Sequence, residues 1–148
     1  MTTQASALSA TAESEQENAV AAPEAAIAAL AEYYIVWVRD DLTVALAAFV
    51  KAGEALPDNS EAVAEIFGIS HNVKGQGGSF GFQLMTNIGA SLCDYIRDGG
   101  PASDAKLKVI EAHLTTLEFV IDREIKGDCG EAGEALLDKL KGYIDNAA

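Results

Sequence analysis

Positive charge is what this sequence has least of. Ten Lys and Arg stand against 23 Asp and Glu, a formal net charge of -13 over 148 residues. Such a chain lacks the basic surface that supplies most of the affinity for DNA or RNA. It is also repelled by an anionic membrane surface. Cysteine is scarce: Cys93 and Cys129 are the only two and form no CxxC pair. That excludes a disulfide framework and fits a reducing compartment. Long apolar runs are missing. The longest, Tyr33 to Val38, stops at Arg39-Asp40-Asp41, far short of the ~20 residues that a spanning helix needs. Met1 to Glu17 holds neither a basic residue nor an apolar core, so no signal peptide is expected there. These absences together predict a cytoplasmic protein with no nucleic-acid and no membrane partner. No short spacing of His and Cys suggests a metal site, no Ser/His/Asp arrangement is recognisable, and no internal repeat is present.

What is abundant is alanine, 27 residues of it. Alanine favours helix but buries little, so the core must come from Leu, Ile, Val, Phe, Tyr and Trp. The length suits one domain. Residues 1–22 are mostly Ala, Ser, Thr, Glu and Gln. They are expected to form a disordered tail or a fraying extension of the first helix, because they bury too little to offset their ordering entropy. From residue 23 the period is helical. Pro23 suits a first helical position, and Ile27, Leu30, Tyr34, Trp37/Val38, Leu42, Leu46, Phe49 and Val50 mark a buried stripe, with a bend near Arg39–Asp41. A second helix opens at Asp58, with Glu61 three residues on as a capping box, and buries Val63, Ile66, Phe67, Ser70 and Val73. A third carries Phe82, Met85, Ile88, Leu92 and Tyr95/Ile96. A fourth, capped by Ser103, carries Leu107 through Ile125. A last one follows a second capping box, Asp128 with Glu131. Short connections imply antiparallel neighbours. The expected fold is all-α, an up-and-down antiparallel four-helix bundle with one or two accessory helices.

The segment that carries chemistry is His71-Asn72-Val73-Lys74-Gly75-Gln76-Gly77-Gly78-Ser79-Phe80-Gly81-Phe82. It is not a Walker A loop, because Lys74 precedes the glycines, and it is not GxGxxG. On a helix, His71, Lys74, Gly75 and Gly78 share a strip beside the core strip of Val63, Ile66, Ser70, Val73 and Gly77. Each helical glycine costs about 1 kcal/mol against alanine, so Gly75, Gly77 and Gly78 together cost roughly 3 kcal/mol. Close approach of another backbone or of a partner surface is the simplest reason to keep them. Residues 66–93 contain no carboxylate, and Lys74 is their only charged side chain. In this acidic chain they form the region least hostile to a phosphoryl group. A neutral imidazole nitrogen is a nucleophile near pH 7, and an ammonium one turn away pairs with phosphate oxygens. His113 and the aromatic residues Tyr33, Tyr34 and Trp37 are expected to pack structurally.

This run resembles the H-x-x-K-G-x-x-x-x-hydrophobic-G signature of histidine-containing phosphotransfer domains, and its Phe-Gly-Phe ending is similar to the phosphotransfer domain of chemotaxis histidine kinases. The motif covers about twelve residues, and the helical plan around it agrees. The resemblance implies a phosphotransfer bundle over residues 23–148, a phosphorelay intermediate rather than a kinase. His71 would accept phosphate from a receiver-domain aspartate and pass it to another receiver. Lys74 would stabilise the phosphate, Gly75 and Gly78 would clear the docking surface, Gln76 would be a further binding residue, and Phe80 and Phe82 would anchor the turn. The implied partners are response-regulator receivers, with a hybrid histidine kinase as a further candidate. No cofactor of its own is implied, since Mg²⁺ would come with the receiver. Family members often place Gln or Glu on the next helix, level with the histidine. Here a hairpin turning near Phe82 puts Cys93 at that level. Cys is a weak acceptor, and Asp94 or a water are the other groups that could serve. The departure favours exchange with receivers over direct phosphorylation by an ATP-bound kinase domain. The rival expectation is a non-catalytic helical module that docks a receiver or kinase through the same face.

Overall fold

Helix propensity and apolar spacing lead to an all-helical chain. The computed structural model describes residues 2–147, with side chains from residue 23 on. Five helices follow in order: α1 (Thr2–Glu54), α2 (Ser60–Gln76), α3 (Gln83–Tyr95), α4 (Asp104–Asp122) and α5 (Gly130–Asn146). A 3-10 turn, Gly78–Phe80, joins α2 to α3. No strand occurs among the described residues. The tail expected over residues 1–22 lies outside the described side chains. Pro23 falls inside α1 rather than at its first position, and α1 is not broken at Arg39–Asp41.

The helix ends correct two expected caps. At α2 the N-cap position belongs to Asn59 and no side chain caps it, so the Asp58/Glu61 box does not form. Asn59 is instead buried, and its amide is a clamp. It donates to Ala52 O (3.0 Å) and Ala102 O (2.9 Å) and accepts from Ala102 N (2.8 Å). One side chain thus satisfies backbone groups at the end of α1 and in the α3–α4 connection, where each would otherwise be an unpaired buried group. The Asp128/Glu131 box is likewise absent: Cys129 holds the N-cap position of α5 without a side-chain bond, and Asp128 accepts from Gly130 N as a local turn. Ser103 does cap α4, accepting from Lys106 N.

α1 packs on α2 and α4, α3 packs on α2 and α4, and α5 packs on α3 and α4. The buried stripes of α2, α3 and α4 are those the spacing predicts, including Ile66, Val73, Met85, Ile88, Leu92, Ile110, Leu114, Leu117 and Ile121. α1 differs. It buries Tyr34, Ile35, Val38 and Leu42 together with Ala31, Ala45, Ala48 and Ala52, while Ile27, Leu30, Trp37 and Val50 stay exposed. Alanine faces let helices approach closely, so the small residues take the contact side and several large ones are left outside it. The α4–α5 connection closes onto the start of α3, where Gly127 N donates to Gly81 O (2.7 Å) and Leu84 N donates to Gly127 O (2.9 Å). It therefore steadies the turn that ends the His71 segment.

Candidate functional site

The site is built on the C-terminal half of α2. His71 is exposed, and its ring stacks on Phe67, one turn earlier, at 6.3 Å between centroids and 28° between planes. Phe67 itself packs against the core, so the imidazole rests on an anchored aromatic face while its edge remains open to solvent. Lys74 lies one turn on, half-buried, and takes part in no ion pair among the described residues. A Cβ at Gly75 would meet nothing within 4 Å. The strip of His71, Lys74 and Gly75 is therefore a cation and an imidazole beside bare backbone.

The other glycines have different reasons. α2 ends at Gln76, so of these three glycines only Gly75 lies within it, while Gly77 closes the helix with its N–H still bonded to Val73 O. A Cβ on Gly77 would lie 2.8 Å from both Phe82 O and Thr86 Oγ1, and one on Gly78 would lie 2.8 Å from Gln83 Oε1. Gly78 N also donates to Thr86 Oγ1 at 2.7 Å. Gly77 is thus required by the close return of the chain into α3. Gly78 is exposed but belongs partly to that same turn. Gly81 closes the turn at φ 88°, a left-handed conformation that suits glycine. Beneath it Tyr34 stacks on Phe80 (5.2 Å between centroids) and meets Phe82 tilted by 35° (5.5 Å), with Phe82 fully buried. Burial, and next to it the charge of Asp41, push the Tyr34 phenol well above its ordinary value.

α3 contributes a glycine that sequence reasoning passed over. A Cβ on Gly89 would lie 2.9 Å from the backbone N of Lys74. The pairing of 77 with 86 and of 74 with 89 sets an antiparallel register for α2 and α3. Extended, it brings 71 level with 92 and Ser70 level with Cys93. Cys93 is therefore within one residue of the expected level, but it is buried, 2% exposed, while His71 is on the surface. Asp94, the other candidate, is exposed and engaged with Arg97. Gln76 is exposed at the end of α2. Five residues from His71, it lies well round the helix from the His71 strip rather than on it. Gln83 and Asn87, whose amides bond at 2.9 Å, stand at the Gly78 end of the face as neutral polar groups. A signal for Gly89 was present in the sequence: it is a glycine between Ile88 and Leu92 of the third apolar stripe, inside a helical period as Gly75 is.

The second histidine is built differently. His113 is fully buried in α4. Its Nδ1–H donates to Val109 O (2.8 Å), which leaves Nε2 to accept from the Ser91 hydroxyl of α3 (2.9 Å). Burial pushes its pKa below the ordinary histidine value, and the Val109 bond opposes this in part. It ties α3 to α4 behind the His71 face. A groove of about 500 Å³ lies between α4 and α5 and is lined by Lys108, Glu111, Thr115, Leu136, Lys139 and Tyr143. His71 and Lys74 do not line it. No cluster of three or more His, Cys, Asp or Glu placed to hold a metal ion occurs among the described residues. No helix among them is long and apolar enough to cross a membrane. Comparison with protein-family models, with curated proteins and with solved structures returns no match for this chain.

Proposed function

We propose that this chain is a histidine phosphotransfer protein of a two-component phosphorelay, acting in the cytoplasm between response-regulator receivers, with a hybrid histidine kinase among its partners. The observation that carries the reading is the strip on α2: an exposed imidazole seated on Phe67, a lysine one turn on that forms no ion pair among the described residues, and Gly75 with open space above it. The packing of α1 on α2 and α4, and of α3 on the same two, supports a four-helix bundle over residues 23–148 with α5 as accessory.

In this reading a lone pair on a His71 ring nitrogen attacks the phosphorus of a receiver's aspartyl phosphate. A P–N bond forms, the P–O bond to the aspartate breaks, and the receiver's carboxylate leaves with the electron pair. The reverse step delivers the phosphoryl group to a second receiver. The transferred group carries its charge on three oxygens, and catalysis is mainly positioning and charge stabilisation. Lys74 supplies one positive charge from this side. Mg²⁺ comes with the receiver and its acidic pocket. Gly75 lets the partner's surface approach the imidazole without a side chain between them. The absence of any carboxylate from residues 66–93 keeps repulsion of phosphate low at this face in an otherwise acidic molecule.

The test is incubation of the purified chain with phosphorylated receivers. Acid-labile, base-stable label on the wild type and none on His71→Gln is the expected result. Equal labelling of His71→Gln overturns the proposal. Binding of the receivers without any transfer would assign the chain to the non-catalytic docking class instead.

A further inference from the structure

A second surface lies on α1. Leu30, Tyr33, Trp37 and Val44 recur at three-, four- and seven-residue steps and so share one side of the helix. They are 41%, 59%, 49% and 47% exposed, respectively. Tyr33 and Trp37 stack on each other at 6.0 Å between centroids, which pre-orders the largest part of the patch. Leu30 and Val44 are equidistant from Trp37, seven residues before and seven after. The ends of the stripe are therefore alike in either direction from its centre, whereas the counterpart of Tyr33 four residues beyond Trp37 is Asp41.

Charge distinguishes the possible pairings. Asp40 and Asp41 interrupt the stripe between Trp37 and Val44. Two α1 helices packed in parallel would place these carboxylates against their own counterparts, which is repulsive. Packed antiparallel about a twofold axis beside Trp37, the helices bring Leu30 level with the other copy's Val44. They also bring Tyr33 level with the other copy's Asp41. No carboxylate then meets its like, and the exposed Tyr33 hydroxyl faces an acceptor. A twofold contact requires this kind of self-complementarity. The area is that of a weak, concentration-dependent contact rather than of a permanent dimer. Side chains of this size offer ~150–250 Å² each when aromatic, so four half-exposed ones supply about 400 Å² against the ~800 Å² per partner of a standard interface. The intervening backbone and alanines extend the contact along about 21 Å of helix.

We propose that this face of α1 is a homodimer interface, on which a second copy of the chain lays its own α1 antiparallel, centred on Trp37. The stripe shares no residue with the His71 strip and does not depend on phosphotransfer, so His71→Gln dimerises like the wild type.

Sedimentation of the full chain from about 1 to about 100 µM tests it. The expected result is a monomer–dimer equilibrium within this range. It should tighten as salt rises, because screening relieves repulsion between two copies of charge -13. Trp37 is the only tryptophan, so its emission should shift to the blue as the dimer forms. Trp37→Glu and Leu30→Glu should each raise the dissociation constant at least tenfold with unchanged helicity, whereas Phe119→Glu, on exposed α4 surface, should not. In a Cys129→Ser background, Trp37→Cys should form a disulfide across the axis. A monomer at every concentration overturns the proposal. So does a dimer that tolerates Trp37→Glu, or one that Trp37→Cys does not cross-link. A wild-type monomer whose receiver binding is lost on Trp37→Glu would assign the stripe to the receiver and overturn it as well.

Discussion

Gly89 of α3 lies so close to Lys74 of α2 that a methyl group on Gly89 would stand 2.9 Å from the Lys74 backbone nitrogen. The contact is backbone against backbone, where neither side has a flexible end to withdraw. It draws α3 against the segment of α2 that carries His71 and Lys74, and it sets the register between the two helices.

Gly89→Ala should therefore destabilise the protein by about 1–3 kcal/mol, as overpacking of a tight interior does. Gly75→Ala should do the opposite. A Cβ there meets nothing, and alanine is the better helix former by about 1 kcal/mol. Urea unfolding of the two variants measures both effects. Equal effects would show that the register contact is not tight.

Asn59→Ala should cost about 2–3 kcal/mol. It leaves the Ala52 and Ala102 carbonyls and the Ala102 N–H without their buried partner. Aspartate is not a replacement, since it has no N–H to donate to the two carbonyls. Denaturant midpoints of Asn59→Ala and Asn59→Asp check this, and a loss under ~0.5 kcal/mol would count against the clamp.

Acid should weaken the fold through His113. Its folded pKa is depressed by burial, so between that value and the unfolded value of about 6.5 the unfolded chain binds the extra proton. Stability from the buried neutral ring is thus complete above pH ~6.5 and is lost as pH falls through the folded pKa. Unfolding free energies from pH 8 to pH 5 should fall more steeply for the wild type than for His113→Gln. Parallel curves would exclude His113 as a source of the acid sensitivity.

Lys74→Ala should slow phosphotransfer more than it weakens receiver docking, because its charge is met mainly when the transferring group spreads charge over its oxygens. Rapid-quench transfer rates alongside receiver binding constants separate the two. A variant with reduced affinity and an unchanged transfer rate contradicts the assigned role.

Much of the fold is legible from periodicity. Val63, Ile66, Ser70 and Val73 mark the buried side of α2 because each side chain recurs on one face, and Leu107 through Ile121 do so for α4. α1 is less legible. It carries apolar residues on more than one face, and nothing local says which of them meets α2 and α4. The capping boxes failed for a related reason. Asn59 has stronger partners forty-three residues away at Ala102 than any at its own helix start, and such a competitor is invisible in a local pattern.

The site divides in the same way. The sequence by itself determined that an imidazole, a lysine and glycine share a strip, because helical spacing alone places them there, and that no carboxylate falls within residues 66–93. Only the tertiary structure decided what each glycine is for. Gly75 faces open space, Gly77 is filled by the return of the chain, and Gly89 is pressed against Lys74. These differences depend on where a second helix lies, and that position is set by packing between residues distant in the chain. The scarcity of positive charge is a property of composition. That Lys74 has no ion pair among the described residues, on the face that carries His71, is a property of the fold, since it depends on which acidic residues the helices turn elsewhere.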